Sequence, residues 1–365
     1  MHSVGLKSVN TDYILQKLVD MGIAVVDVRD VRGWSPWHQH GISSGKATYV
    51  TPQDRDAFVV TVRHCQDNNL NYALIGGGTA TCKPCGADVL IVTECLKALS
   101  IDTSAEELIV GAGVAIETAE AFVAEHGWTL GQWMGSGATA TIGGAIVTNA
   151  NGILAGRYGN FMDAVTFIEI LDQSGNTSWI SPATYRSLPD AVILAVRLPL
   201  WLSPDGRAVA RFVGAGDPLA ALRQVATARL MPAHISVDQS GTITVIVEGE
   251  PHLETARYQL IAAILQKQGA VQDLTLDQGK HWDTLLSSNP WSANAAGDVW
   301  ADRIVLTVSW SDYSQVLNTW MLRAQSAGAE LTWRAMNPTQ NGVQLILDFH
   351  LDGVKTGPDW LYFKS

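Results

Sequence analysis

After Pro52 the apolar residues Ala57, Val60, Val62 and Cys65 fall on one face of a helical period, and the short run Tyr72–Ile75 that follows is stopped by glycines. That order predicts a helix, a strand and a glycine loop. Residues 88–93 (DVLIVT) and 108–110 read as further strands, and residues 117–126 as a helix closed by Gly127. Strands over 164–171, ending at Gln173-Ser174-Gly175-Asn176, and over 191–200 complete an alternating pattern, which predicts a mixed α/β domain. The turn Ser203-Pro204-Asp205-Gly206 places a domain boundary, with residues 1–45 as a helical lead-in, 46–202 as the first domain and 203–365 as the second.

The second domain carries a weak internal echo. Residues 208–213, 218–228, 233–237 and 242–247 read as strand, helix, strand, strand, and residues 303–310, 313–325, 330–335 and 343–349 repeat that order. Two such units can share one antiparallel sheet with their helices on one face, a ferredoxin-like layer. The expected class is therefore α+β.

Composition narrows the ligands. The chain has 365 residues, 47% hydrophobic and 16% charged, with a formal net charge of -11, which suits a folded protein and disfavours disorder. The acidic balance and the lack of any Lys/Arg run argue against nucleic acid and favour a small-molecule substrate. The N-terminus lacks a basic segment leading into an apolar run, and no window approaches the roughly 20 apolar residues of a membrane span, so a cytoplasmic protein is expected.

The stretch LIGGGTATCKPCG, residues 74–86, offers two chemistries. Its glycines and Thr79 suggest a backbone cradle for phosphate, and Cys82 and Cys85 suggest metal or thiol chemistry. One CxxC pair supplies half a tetrahedral site, and Cys65 and Cys95 read as small buried residues, so no metal is expected. The spacing of His38 and His40 reads as a solvated turn. A second segment, WMGSGATATIGGAIVTNANGILAGRYGN at 133–160, strengthens the cradle reading. It is too poor in large apolar side chains for an ordinary core and suits close approach to a large polar ligand.

Taken in order, LIGGGTA, Gly111-Ala112-Gly113-Val114 and residues 136–160 resemble the FAD-binding domain of the PCMH-type, or vanillyl-alcohol oxidase, flavoproteins. TLGQWMGSGATATIGG followed by YGN and Asp163 is most similar to the branch of alkyl-dihydroxyacetone-phosphate synthase and the D-lactate and glycolate dehydrogenases. The resemblance implies a two-subdomain FAD-binding domain followed by a ferredoxin-like cap. It implies that Leu74, Ile75, Gly76, Gly77, Gly78, Thr79 and Ala80 wrap the FAD pyrophosphate. Gly135, Ser136, Gly137, Ala138, Thr139, Ala140 and Thr141, with Gly143 and Gly144, match the second contact run, and Thr148, Asn149, Ala150 and Asn151 the third. The cysteine pair then lies in a loop just past the phosphate site. No histidine stands in LIGGGTATCKPCG for covalent attachment, so noncovalent FAD is expected.

The chain departs from that pattern in three places. A glycine-rich approach to the last strand of the FAD domain is replaced by Tyr185-Arg186-Ser187-Leu188-Pro189-Asp190. The cap turn at 336–342 has Asn337 and Thr339, neither of them a base at neutral pH, where relatives carry His or Tyr. The sequence ends at WLYFKS without the family's His-His-Gly segment. Arg334 and His350 are the candidate catalytic substitutes, and His281 is a weaker one. The expected activity is hydride transfer from a 2-hydroxy acid or alcohol to flavin N5. The alternative is a FAD-binding homologue without catalysis, acting as a subunit or binding module, and a homodimer or partner subunit fits either reading.

Overall fold

The computed structural model describes residues 11–27, 48–79, 87, 89–134, 136–188, 190–276 and 299–352. The chain forms two compact units, one of residues 1–123, 136–150 and 161–200, the other of residues 124–135, 151–160 and 201–365.

The first unit holds two sheets. Strands β1 (Ala24–Asp27), β2 (Thr48–Thr51), β3 (Tyr72–Ile75) and β4 (Val89–Val92) lie in the order β1-β2-β4-β3, with β4 parallel to both its neighbours. A parallel strand in the middle of a sheet is covered on both faces, which is why all four β4 residues are buried and apolar. The helix Arg55–Asp67 follows β2, capped by the Asp54 carboxylate, which accepts from the Ala57 N–H at 2.8 Å. Its buried stripe is Phe58, Thr61, Val62 and Cys65. The apolar face expected from the sequence is thus rotated, since Val60 is 40% exposed and Phe58 takes the inward place. Strands β5 (Leu99–Asp102), β6 (Glu107–Gly111), β8 (Phe167–Leu171), β9 (Thr177–Ile180) and β10 (Val192–Pro199) form an antiparallel sheet ordered β5-β6-β10-β8-β9, while β7 (Trp128–Thr129) belongs to the other unit. Arg55 donates twice to the Glu169 carboxylate, at 2.8 and 2.7 Å, and so ties the helix to β8.

In the second unit β11 (Trp201–Leu202) pairs with β7. The main sheet contains β12 (Gly206–Val213), β13 (His234–Asp238), β14 (Ile243–Gly249), β15 (Val271–Leu276), β16 (Val299–Ser309), β17 (Glu330–Met336) and β18 (Gly342–Asp352), ordered β15-β12-β14-β13-β17-β18-β16. The internal echo in the sequence takes physical form here. Numbered within its own half, each repeat places its third strand between its first and second, and the two second strands, β13 and β17, pair antiparallel where the halves meet. The helix Pro251–Lys267 and β15 complete the first half as a ferredoxin-like βαββαβ unit. Neither of these two elements was expected from the pattern of the chain.

Residues that face each other across this ladder lie on the same side, so its two faces separate cleanly. One carries Phe212, Val237, Val245, Leu345, Leu347 and Phe349 into a core shared with Leu222 and Val225 of the helix Pro218–Thr227, Ile261 and Leu265 of Pro251–Lys267, and Leu317 of Tyr313–Ser326. The other carries His234, Ser236, Thr244, Thr332, Arg334 and Asp348 in register. Leu154 and Tyr158 pack onto part of that polar face against Val209, Ala233 and Ile246.

Candidate functional site

The glycine loop begins where β3 stops. Thr93, just past β4, donates to the Ile75 carbonyl from its N–H at 2.9 Å and from its hydroxyl at 3.2 Å, fixing the end of the strand. Gly76 and Gly77 then cross the second run at van der Waals distance. A Cβ on Gly76 would strike the Thr141 hydroxyl, and one on Gly77 would strike the Thr139 carbonyl. These two glycines are therefore required first by the packing of one loop on the other, rather than by the approach of a phosphate as the sequence alone suggests. Gly78 takes a left-handed φ of 63°, which glycine adopts without strain.

The second run is shaped by its own hydrogen bonds. Thr139 and Ala140 N–H donate to the Ser136 carbonyl at 3.0 and 2.7 Å, and Glu117 N–H donates to the Gly137 carbonyl at 3.0 Å. Thr141 caps the short helix Ile142–Val147, accepting from Gly144 N–H at 3.3 Å. Gly143 packs tightly on Ala112, where a Cβ would lie 2.8 Å from the Ala112 methyl, so its close approach is to protein; Gly144 is exposed. The Thr148 hydroxyl donates back to the Gly144 carbonyl at 2.8 Å, and Asn149 ends the helix with φ 45°. Among the described residues no acceptor meets the N–H groups of Gly76, Gly77, Gly78, Thr79, Ser136, Gly137 or Ala138. Two adjoining loops of uncommitted donors suit diphosphate oxygens, so the residues present fit the phosphate part of FAD.

The first unit thus brings together Gly76 and Gly77 with Thr139 and Thr141, and the Ile142–Val147 helix carries Gly143 and Gly144 and leads into the run Thr148 to Ala150. Ala80, Gly135, Cys82, Cys85, His38, His40 and His281 lie outside the described residues. Asn151 belongs to the second unit, and its Oδ1 is buried without a donor.

Arg334 and His350 are both on the main sheet of the second unit. Arg334 on β17 is half-buried and pairs in register with Asp238 and Ile346, while the His350 backbone on β18 pairs with Glu330 and Ala301. Beside Arg334 the structure places a residue that sequence reasoning missed. His234 is buried with its Nδ1 2.8 Å from the Ile153 carbonyl and its Nε2 2.8 Å from the Ser236 hydroxyl. A carbonyl only accepts, so the proton sits on Nδ1 and Nε2 accepts from Ser236. Burial first, and the Arg334 charge second, take its pKa down to about 4, so the ring is neutral at ordinary pH. The 336–342 turn is closed by Thr339 N–H donating to the Gly342 carbonyl at 2.7 Å, and Asn337 Nδ2 donates to Gln344 at 2.8 Å.

Burial raises the Cys65 thiol to about 12 and Cys95 to about 11, so neither is a thiolate at neutral pH. Among the described residues no group of three His, Cys, Asp or Glu could hold a metal ion, and no helix is long and apolar enough to cross a membrane.

Comparison with known proteins agrees with this geometry. Residues 47–181 match the model of the FAD binding domain. A D-lactate dehydrogenase of Archaeoglobus fulgidus is 26% identical over 141 residues, which cover 38% of this chain and 32% of that protein. The mitochondrial D-2-hydroxyglutarate dehydrogenase of Bos taurus is 27% identical over 134 residues, 34% of this chain and 24% of that one. Each match therefore spans a third or less of the relative's own length. Among solved structures, an alkyldihydroxyacetonephosphate synthase superposes with TM-score 0.70 at 16% identity, covering 84% of this chain and 71% of that one. A 4-ethylphenol oxidase from Gulosibacter chungangensis superposes with TM-score 0.75 at 10% identity, covering 96% and 84%. Residues 47–181 accordingly match a FAD binding domain, in a chain whose fold is the PCMH-type fold of that synthase and oxidase.

Proposed function

We propose that the protein is a FAD-dependent oxidoreductase that oxidises a small 2-hydroxy acid or alcohol. The observation that carries this reading is the interlocked pair of loops, Gly76 and Gly77 against Thr139 and Thr141, whose uncommitted N–H groups suit a diphosphate. The two dehydrogenase relatives, named for D-lactate and D-2-hydroxyglutarate, point to a hydroxy acid. When bound, FAD supplies a hydride acceptor at N5. Arg334 holds the substrate carboxylate with its planar guanidinium and orients the carbon that loses hydride, and His350 takes the hydroxyl proton. The FAD is held noncovalently by residues 74–80, 135–141, 143, 144 and 148–151. Residues 46–202 serve as the FAD domain and 203–365 as the cap. The protein works in the cytoplasm, as a homodimer or with a partner subunit. The reading as a homologue without catalysis draws no support from the relatives.

The test is anaerobic mixing of the flavin-loaded protein with a panel of 2-hydroxy acids and alcohols while the flavin absorbance is followed. Bleaching with one of them is expected, with Arg334→Ala raising the substrate concentration required and His350→Ala slowing the reduction. A flavin that stays oxidised with every candidate refutes the activity, and a colourless protein whose melting temperature ignores added FAD refutes the cofactor. Equal bleaching in both variants leaves the activity and removes the residue roles.

A further inference from the structure

His234 and Ser236 stand two residues apart on β13, so both side chains project from the polar face of the second unit's sheet. Their hydrogen bonds run in one direction only. The Ile153 carbonyl, 2.8 Å from His234 Nδ1, can only accept, so that nitrogen holds the single proton of the neutral ring. Nε2, 2.8 Å from the Ser236 hydroxyl, must then accept. A serine hydroxyl has one proton, and Ser236 spends it on His234. What Ser236 still offers to the polar face is its lone pairs, so a ligand there meets it as an acceptor and not as a donor.

Ser236 faces Met336 in register and Asp238 faces Arg334, which makes Ser236 and Arg334 diagonal neighbours on one side of the β13–β17 ladder. Diagonal positions lie about 7–8 Å apart, within reach of a long side chain, and the Arg334 charge is felt at His234 beyond Ser236. Asp238, opposite Arg334, has its Oδ1 engaged by the turn that follows it, accepting from Ser240 N–H at 2.9 Å and the Ser240 hydroxyl at 2.6 Å. A donor at Arg334 and an acceptor at Ser236 call for a ligand with a carboxylate and, beside it, an O–H. A 2-hydroxy acid has that pattern. The 2-oxo acid made from it does not, because its carbonyl oxygen would meet the Ser236 lone pairs with no proton between them. We infer that Ser236, locked as an acceptor by His234, selects the 2-hydroxy acid over the 2-oxo acid at the carboxylate site of Arg334. The inference rests on the reading that Arg334 holds the substrate carboxylate; it adds Ser236 as a specificity-determining residue and His234 as the positioning residue behind it. This hydrogen bond belongs to the resting complex, and transfer of the same proton to His350 belongs to the oxidation step. Ser236 is only 4% exposed, so water does little to replace a missing donor, and a site built to bond a hydroxyl rejects the analogue that lacks it.

The experiment measures dissociation constants by calorimetry at pH 7 for three acids on the full-length protein. The first is 2-hydroxyisobutyrate, which has no hydrogen on its hydroxyl carbon and so cannot lose hydride. The second is isobutyrate, the same skeleton without the hydroxyl, and the third is pyruvate, with a carbonyl in its place. Wild-type protein is expected to bind the hydroxy acid about tenfold more tightly than either of the others, the value of one good hydrogen bond. Ser236→Ala is expected to lose that preference and Ser236→Thr, which keeps the hydroxyl, to retain it. His234→Leu frees the Ser236 proton to turn outward, so it should tighten pyruvate binding, whereas a merely structural role would weaken all three acids alike. Equal affinity of the wild type for all three acids overturns the inference and needs no variant to fold. Pyruvate bound as tightly as the hydroxy acid, or a full preference retained by Ser236→Ala, overturns it as well. A wild type that binds none of the three, or an Arg334→Ala variant that binds them all as before, refutes the carboxylate reading beneath it, a result distinct from lost selectivity.

Discussion

Replacing Gly77 with alanine tests the packing of the two loops directly. The added Cβ would overlap the Thr139 carbonyl carbon and oxygen and lie 3.1 Å from the Ala140 nitrogen. All three atoms are backbone, so no side-chain rotation relieves the clash. The turn that would have to yield is held by bonds of 3.0 and 2.7 Å to the Ser136 carbonyl and by the Glu117 N–H bond of 3.0 Å to Gly137. Overpacking of this kind costs about 1–3 kcal/mol, which in a unit of this size lowers the melting temperature by roughly 3–10 °C even without cofactor. In the proposed FAD site, displacing the loop also withdraws N–H groups that the diphosphate would use. Losing two charge-assisted hydrogen bonds weakens FAD binding by about a hundredfold or more. The assays are a melting curve with and without FAD and a fluorescence titration. Gly216→Ala is the control, because nothing lies within 4 Å of a Cβ built there. If Gly77→Ala melts with the wild type when flavin-free and binds FAD as tightly, the two loops do not touch as described. If only binding suffers, the glycine answers to the cofactor and not to its neighbour.

The neutral His234 gives a pH signature: its folded pKa of about 4 lies below the ordinary 6.5, so the stability it contributes is present above pH 6.5 and is lost as pH falls towards 4. The loss is about 3 kcal/mol, and urea midpoints should show it in the wild type and not in His234→Gln; parallel curves would refute it. Glu248 is fully buried and shared by Arg207, at 2.7 Å, and the Tyr158 hydroxyl, at 2.5 Å. Arg207→Met leaves that buried carboxylate without its counter-charge and should cost about 3 kcal/mol in urea unfolding, a loss under about 1 kcal/mol placing the pair in water. Cys65 should resist iodoacetamide at pH 8 in the folded protein, and Cys82→Ser with Cys85→Ser should leave flavin content unchanged. Rapid labelling of Cys65, or flavin that stays with acid-precipitated wild type and leaves the double variant, would count against these assignments.

How much of this was legible in the sequence depended on the range of the interaction. Residues 89–92 announce a buried strand because all four side chains point into apolar surroundings. The helix Pro251–Lys267 announces nothing, because Leu253 and Leu260 on it are 66% and 56% exposed while Glu254 is buried beside Ile261 and Leu265, which blurs the apolar period. Its neighbour β15 sits at the sheet edge with Val271 65% exposed, so its alternation is weak too. The glycine loops were visible as composition, but the reason for Gly77 lies in Thr139, and that contact is made only by the fold. His234 looked like one histidine among nine. Its role is set by a carbonyl 81 positions earlier in the chain and by a hydroxyl two residues later on the same strand.

The chain passes between its two units at 123/124, 135/136, 150/151, 160/161 and 200/201. Such threading limits what recombination can do with this gene. A module cut at residue 202 would carry away residues 124–135 and 151–160 but leave behind Val209 and Ile246, on which Leu154 and Tyr158 pack. The severed piece would expose those apolar side chains, inviting aggregation. Exchanging the second unit between relatives by a single crossover is therefore a poor design. Exchanges that replace the two short excursions along with residues 201–365 keep their mutual packing, and those are the chimaeras to build.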